Sequence, residues 1–241
     1  MKYKKIGEIL VLDKYPNDIN DLLTKHNVKT IIKINKIHGQ LRKPNIEILA
    51  GSNTETIHKE NGCLFKLDLS KVMWSKGNIN ERVRIAKQVK DGEEILDMFA
   101  GIGYFSIPIA KYSNPKQIIA IEINPDSFYY LKENIYLNNL YDKIKPILGD
   151  SSILAKNYYL DRVIMGYIKT THHFLKSAID SLKEGGILHY HETTPDKLIH
   201  TRPLKRIKEI APDKKIELLD TTLIKKYSPG VSHVVVDFRV F

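Results

Sequence analysis

From residue 94 to the C-terminus, short apolar runs alternate with stretches of helical spacing. Ile118 to Ile121 and Val234 to Val236 are continuously apolar, as strands covered on both faces are. The pattern predicts strands at Glu94 to Met98, Gln117 to Ile123, Ile144 to Leu148, Arg162 to Met165, Ile187 to His191, Ile216 to Lys225 and Val231 to Phe241. Helices are predicted from Tyr104 to Tyr112, from Pro125 to about Asn139, and at about 171–183 and 196–210. Asn124-Pro125 opens the second of these with a capping side chain and a proline at the first helical position. The last two strands flank Ser228-Pro229-Gly230, so the alternation implies an open α/β sheet whose final strand is antiparallel.

Residues 1–70 read as a small mixed α/β unit. A short helix is predicted at Asp18 to His26, with strands at Lys29 to Ile37, Ile46 to Leu49 and Thr56 to Lys59. Asn61-Gly62 precedes Cys63 to Leu69, a strong short hairpin signal. A helix from Asn80 to Val89 leads into the sheet. The expected division is therefore a small domain at 1–70 and a larger one at 71–241.

Composition narrows the class. With 42% hydrophobic and 27% charged residues, the 241-residue chain is ordinary globular protein. No apolar run approaches the roughly 20 residues of a membrane span, and the first residues hold no signal-peptide core. A single cysteine, Cys63, excludes disulfide scaffolds and cysteine-cluster metal sites and suits a cytoplasmic setting. The net charge of +10 favours a polyanionic partner such as nucleic acid. Arg202, Lys205, Arg206 and Lys208 on one predicted helix, with Lys225-Lys226, are candidates for phosphate contacts; the alternative is a solvated helix face. His189, His191 and Glu192 share a strand, but no third distant ligand is evident, so no metal is expected.

The informative chemistry lies at three successive strand ends. Asp97-Met-Phe99-Ala-Gly101-Ile-Gly103 sits where the first strand of the larger sheet turns into a helix. Glycines there let backbone approach a ligand at the carboxyl edge of the sheet, although a glycine pair alone equally makes a tight turn. Glu122 ends the next strand, 25 residues after Asp97, placed to accept from both ribose hydroxyls. Asp150 ends the third, placed to accept from an adenine amino group. The loop lacks the third glycine of a dinucleotide site, and the chain has no P-loop. A nucleoside without phosphates points to S-adenosylmethionine, with Asp97 at the amino-acid end of the cofactor. Cys63 lacks the Pro-Cys context of a cytosine-C5 methylase, and no Asp/Asn-Pro-Pro-Tyr/Phe follows the fourth strand.

Three segments together carry a resemblance. They are Trp74-Ser75-Lys-Gly-Asn-Ile-Asn-Glu81-Arg82, the Asp97 to Gly103 loop with Glu122-Ile-Asn-Pro, and Lys226-Tyr-Ser-Pro-Gly230-Val-Ser-His233-Val-Val-Val-Asp237. Over roughly residues 55–241 the chain resembles the class I enzymes that modify position 37 of tRNA. That family comprises tRNA guanine-N1-methyltransferases and wybutosine-synthesising aminocarboxypropyltransferases. The resemblance implies a class I methyltransferase (Rossmann-like) seven-stranded sheet, cofactor contacts from Ser75, Arg82, Glu122, Asp150 and Ser151, and a tRNA-Phe anticodon loop as partner of a monomeric enzyme. Met165-Gly166-Tyr167 stands where the methyltransferases have Asn-Leu-Pro, and Ser75-Lys76-Gly77 where they have Ser-Pro-Arg. Both differences favour the aminocarboxypropyl branch, with N1 methylation of guanine as the alternative; 241 residues also leave no room for that branch's further N-terminal domain. Tyr167 is expected to stack on the acceptor base or to fill core. Glu81 is expected to serve as a general base, or else to hold Arg84 or a helix N-terminus.

Overall fold

Runs of buried aliphatics set the first sheet. In the computed structural model, which describes residues 2–39, 41–74 and 78–241, β1 (Tyr3–Ile6) pairs antiparallel with β2 (Ile9–Leu12). Helix α1 (Ile19–His26) carries the chain across, so β3 (Thr30–His38) lies parallel to β2, and β4 (Lys43–Ala50) returns antiparallel to β3. Asp18 caps α1 by accepting from the Asp21 amide, and Asn27 ends it in the left-handed region. Leu10, Leu12, Val28 and Ile31 bury Leu22 of that helix. β1 and β2 escape the sequence pattern because three of the four residues of β1 are exposed and β2 is four buried apolars with no period to read.

β5 (Glu55–Glu60) and β6 (Cys63–Asp68) form the expected hairpin, with Asn61 and Gly62 both at positive φ. It is pinned to the larger domain by α4 (Pro125–Leu137). Asn134, fully buried on that helix, accepts from the Lys66 amide at 2.6 Å and donates to the Lys66 and Ile102 carbonyls. Asn138 repeats the arrangement at Leu64. One hydrophobic cluster runs from Ile6, Ile9 and Ile32 through Phe65 to Ile95 and Ile118. A division at residue 70 therefore passes through continuous core.

The large sheet follows from helices α2 (Ile79–Gln88), α3 (Ser106–Tyr112), α4, α5 (Ser151–Leu154), α6 (Leu175–Asp180) and α7 (Arg202–Ile210) packed on seven strands. These are β7 (Glu94–Asp97), β8 (Gln117–Glu122), β9 (Ile144–Leu148), β10 (Leu160–Met165), β11 (Leu182–Pro195), β12 (Ile216–Ser228) and β13 (Val231–Val240). Their order is β12-β13-β11-β10-β7-β8-β9, parallel except for β13. The period-2 alternation splits each strand between two cores: Ile95, Ile118 and Ala120 face one, Leu96, Ile119 and Ile121 the other. Strand order reverses beside β7, the crevice where open α/β sheets bind ligands. Among the described residues, no helix is long and apolar enough to cross a membrane.

Two predicted elements change length. The helix expected at 171–183 is a short 3-10 turn followed by α6 and ends at Asp180. β11 starts at Leu182 and runs to Pro195, because β13 pairs with it from Gly186↔Val240 to Pro195↔Val231. Asn134→Ala should leave buried backbone groups of the hairpin unpaired, lowering unfolding free energy by about 1–3 kcal/mol. Guanidinium unfolding with an unchanged m-value is the check.

Candidate active site

The glycine loop after β7 is held by a carboxylate from the next strand. Glu122 at the end of β8 accepts from the Gly101 amide through Oε2 and from the Asn124 amide through Oε1, both at 2.7 Å. Gly101 (φ +58) and Gly103 (φ +97) take left-handed conformations that favour glycine. A Cβ at Gly101 would come within 2.6 Å of the Tyr104 ring, and one at Gly103 within 2.5 Å of Ile107. Asp97 lies under the loop, fully buried, accepting from the Ser106 hydroxyl at 2.7 Å and more weakly from the Phe99 amide. Burial pushes its carboxyl up to about 6, with the Glu122 charge adding and the Ser106 hydroxyl opposing. Burial also raises Glu122, opposed by the Asn124 and Gly101 amides.

Above the loop a cavity opens between the sheet edge and the β3–β4 turn. Arg82, Phe99, Gly101, Glu122, Asp150, Ser151 and Tyr167 all line it, as the sequence leads one to expect. Asp150 accepts from the Ser152 amide and starts α5. Tyr167 stacks on Phe99 with centroids 5.3 Å apart, and Phe99 meets Phe174 edge-on. Arg82 is 1% exposed, held between the rings of Trp74 and Tyr104 at 4.9 and 4.8 Å and bonded to Glu60. Ser75, with Lys76 and Gly77, lies outside the described residues.

The structure corrects several candidates. Asp97 and Gly103 do not line the cavity: Asp97 faces Ser106, and Gly103 packs against Ile107, so both shape the loop from beneath. Glu81 is turned away as well. Arg84 binds its two oxygens at 2.7 Å each, and the same guanidinium continues to Asp237, His189, Arg162 and Glu93 in one buried chain. That chain accounts for His189. Arg162 can only donate to its Nε2, so the imidazole proton sits on Nδ1, facing Asp237. His189, His191 and Glu192 form no metal site, and none is found among the described residues.

The two arginines of the basic set on α7 are held by an acid of another element, and its lysines stay at the surface. Arg202 and Arg206 converge on one oxygen of buried Glu192 at 2.8 and 2.5 Å, Lys205 lies 3.7 Å from Glu209, and Lys226 pairs with Asp196. Sequence reading missed cavity residues brought in from a distance. Arg42 comes from the β3–β4 turn, which docks through the Leu41 carbonyl on Asn124 and through Lys43 on Asp126. Lys225, Tyr227 and His233 come from β12 and β13. Their signal was the C-terminal segment noted above, where Lys225 and Tyr227, two apart on one strand, share a face. Arg202→Ala with Arg206→Ala should strand the Glu192 carboxylate and lower stability by about 3 kcal/mol. Full stability with weakened tRNA binding would restore the phosphate-contact reading; chemical unfolding and filter binding decide.

The donor set suits a nucleoside. The loop amide a phosphate would need is already given to Glu122, and two carboxylates beneath the loop favour a cationic ligand. Comparison with known proteins agrees. Residues 56–219 match the family described as TRM5/TYW2 methyltransferase domain. The chain is 48% identical over 244 residues, 99% of its own length and 98% of the other's, to a tRNA(Phe) (4-demethylwyosine(37)-C(7)) aminocarboxypropyltransferase of Methanocaldococcus jannaschii. It is 41% identical over 218 residues to the tRNA (guanine(37)-N(1))-methyltransferase Trm5b of Pyrococcus abyssi, covering 89% of this chain and 64% of that one. The crystal structure of M. jannaschii TYW2 in complex with AdoMet superposes with a TM-score of 0.82, 44% identity and 99% coverage of both chains. On the fold, the site and these matches, the chain belongs to the TRM5/TYW2 family.

Proposed function

We propose that the protein transfers the 3-amino-3-carboxypropyl group of S-adenosylmethionine to the tricyclic 4-demethylwyosine base at position 37 of tRNA-Phe and releases methylthioadenosine. The observation that carries the reading is the cavity over the Glu122-held loop, in a chain that matches an aminocarboxypropyltransferase along its whole length. The cofactor's sulfonium supplies an activated carbon, and the protein decides which carbon meets the acceptor.

Each lining residue has a part in that selection. Glu122 accepts from the ribose hydroxyls, Asp150 from the adenine amino group, and Phe99 with Tyr167 walls the acceptor side. Arg82, pinned by Glu60 and two rings, offers a fixed guanidinium to the methionine carboxylate. Gly166 supports the aminocarboxypropyl branch. A Cβ there would come within 2.7 Å of the Phe105 ring, so the leucine of Asn-Leu-Pro has no space as the ring stands, and Tyr167 puts an aromatic ring into the cavity where that motif has proline. The anticodon loop is the docking element, and a cytoplasmic monomer belongs to the same proposal.

Incubation with S-adenosylmethionine and tRNA-Phe carrying 4-demethylwyosine should yield methylthioadenosine and a base heavier by one aminocarboxypropyl group, read by chromatography and mass. S-adenosylhomocysteine with a methylated guanosine would move the assignment to guanine-N1 methylation.

A further inference from the structure

β12 and β13 close the cavity on the side away from the glycine loop's own strand. Lys225 and His233 are direct cross-strand partners, and both line the cavity together with Tyr227. His233 is 2% exposed. Its Nε2 lies 3.1 Å from Nδ1 of His191 on β11, and its own Nδ1 has no hydrogen-bond partner among the described residues. His191 in turn packs edge-on against Phe105, with centroids 5.3 Å apart, and Phe105 is the ring that Gly166 makes room for. A continuous contact path thus joins His233 to the 165–167 segment, where the two branches of the family differ. A buried nitrogen without a partner is costly unless a ligand meets it.

The proposed reaction needs such a nitrogen. The acceptor is a carbon that carries hydrogen, so the proton must leave after the new bond forms. Of the cavity's charged groups, Glu122 and Asp150 are assigned to the ribose and the adenine, and Arg42 and Arg82 can only donate. We propose that His233 is the catalytic base of the transfer, with Nδ1 receiving the acceptor-carbon proton and His191 fixing the ring. This rests on the aminocarboxypropyl reading. In the balanced step, the acceptor carbon bonds to the transferred carbon while the sulfur–carbon bond breaks with its pair left on sulfur; the C–H bond then breaks, its pair returns to the ring and the proton goes to Nδ1.

The surroundings keep His233 ready to accept. Burial first, and then the Lys225 charge from β12, bring its imidazole down to about 4, so it stands unprotonated at neutral pH. From β11 it faces His191, which burial, His233 and His189 hold well below the usual range. Behind His191 lie Asp237 and Arg84, and beside Lys225 lie Lys4 and Arg42. The Lys225 charge also drives the proton off again after transfer.

The proposal demands one of the two tautomers the 3.1 Å contact allows: the proton on Nε2, donated to His191 Nδ1, with Nδ1 of His233 bare. NMR of the free protein with 15N-labelled histidine should show that tautomer between pH 6 and 8, the range over which neutral His is expected. A protonated Nδ1 overturns the proposal without any turnover. His233→Gln and His233→Asn should bind S-adenosylmethionine with wild-type affinity by calorimetry. Both should slow single-turnover transfer by about 100-fold or more, the usual weight of a general base. A primary isotope effect should then appear with tRNA deuterated at the acceptor carbon. Wild-type transfer rates in both variants, or slowing with lost cofactor affinity and no isotope effect, would mark His233 as packing. If the wild-type protein forms S-adenosylhomocysteine, the aminocarboxypropyl reading falls and takes this proposal with it. Methylthioadenosine from wild type together with unslowed variants overturns this proposal alone.

Discussion

One carboxylate sets the geometry of the site. Glu122 ends β8 and spends one oxygen on the Gly101 amide and the other on the Asn124 amide. The first bond fixes the loop after β7, the second the entry to α4. Asn124 then accepts from the Asp126 amide and donates to the Leu41 carbonyl, which docks the N-terminal turn that carries Arg42. Loop, helix and the β3–β4 turn are thus registered by bonds that radiate from a single strand end. The arrangement costs charge burial: Glu122 and Asp97 share one desolvated region, and both are pushed up. A cationic ligand over that pair offsets part of the cost, which fits the ligand of the proposed reaction.

Buried ion pairs hold the remaining elements. The chain Glu81–Arg84–Asp237–His189–Arg162–Glu93 ties α2 to β13, β11 and β10. Glu192 gathers Arg202 and Arg206 and so anchors α7 to β11. Such pairs cost much to break and little to lack, so they specify position more than they add stability. Arg82 belongs with them, except that it also lines the cavity.

What the sequence disclosed was local. The Asn124-Pro125 cap, the Asn61-Gly62 turn and the acids at the ends of β7, β8 and β9 are each written within a few residues, and all stand where expected. Of the two roles read for Glu81, the structure shows the hold on Arg84, which is local; the continuation of that bond to Asp237, 153 residues from Arg84, is not. Arg202 and Arg206 looked like a free basic face because their acid sits on another element. Arg42, Lys225 and His233 reach the cavity only through tertiary pairing, and His233 gains its partner only when β11 and β13 align. Asp97 stands at the loop's entry as read, but its Oδ2 is bonded to Ser106 and it is not among the residues lining the cavity, because spacing gives the strand end but not the direction of the side chain.

In the proposed site Glu122 serves both the loop and the ribose. Calorimetry with S-adenosylmethionine and its 2′-deoxy and 3′-deoxy analogues, on the wild type and Glu122→Gln, measures the coupling between carboxylate and hydroxyls. Loss of a hydroxyl should cost the wild type about tenfold in affinity, as for a charge-assisted hydrogen bond, and should cost the variant almost nothing. An equal loss in both proteins would mean that Glu122 only braces the loop and that the nucleoside lies elsewhere in the cavity.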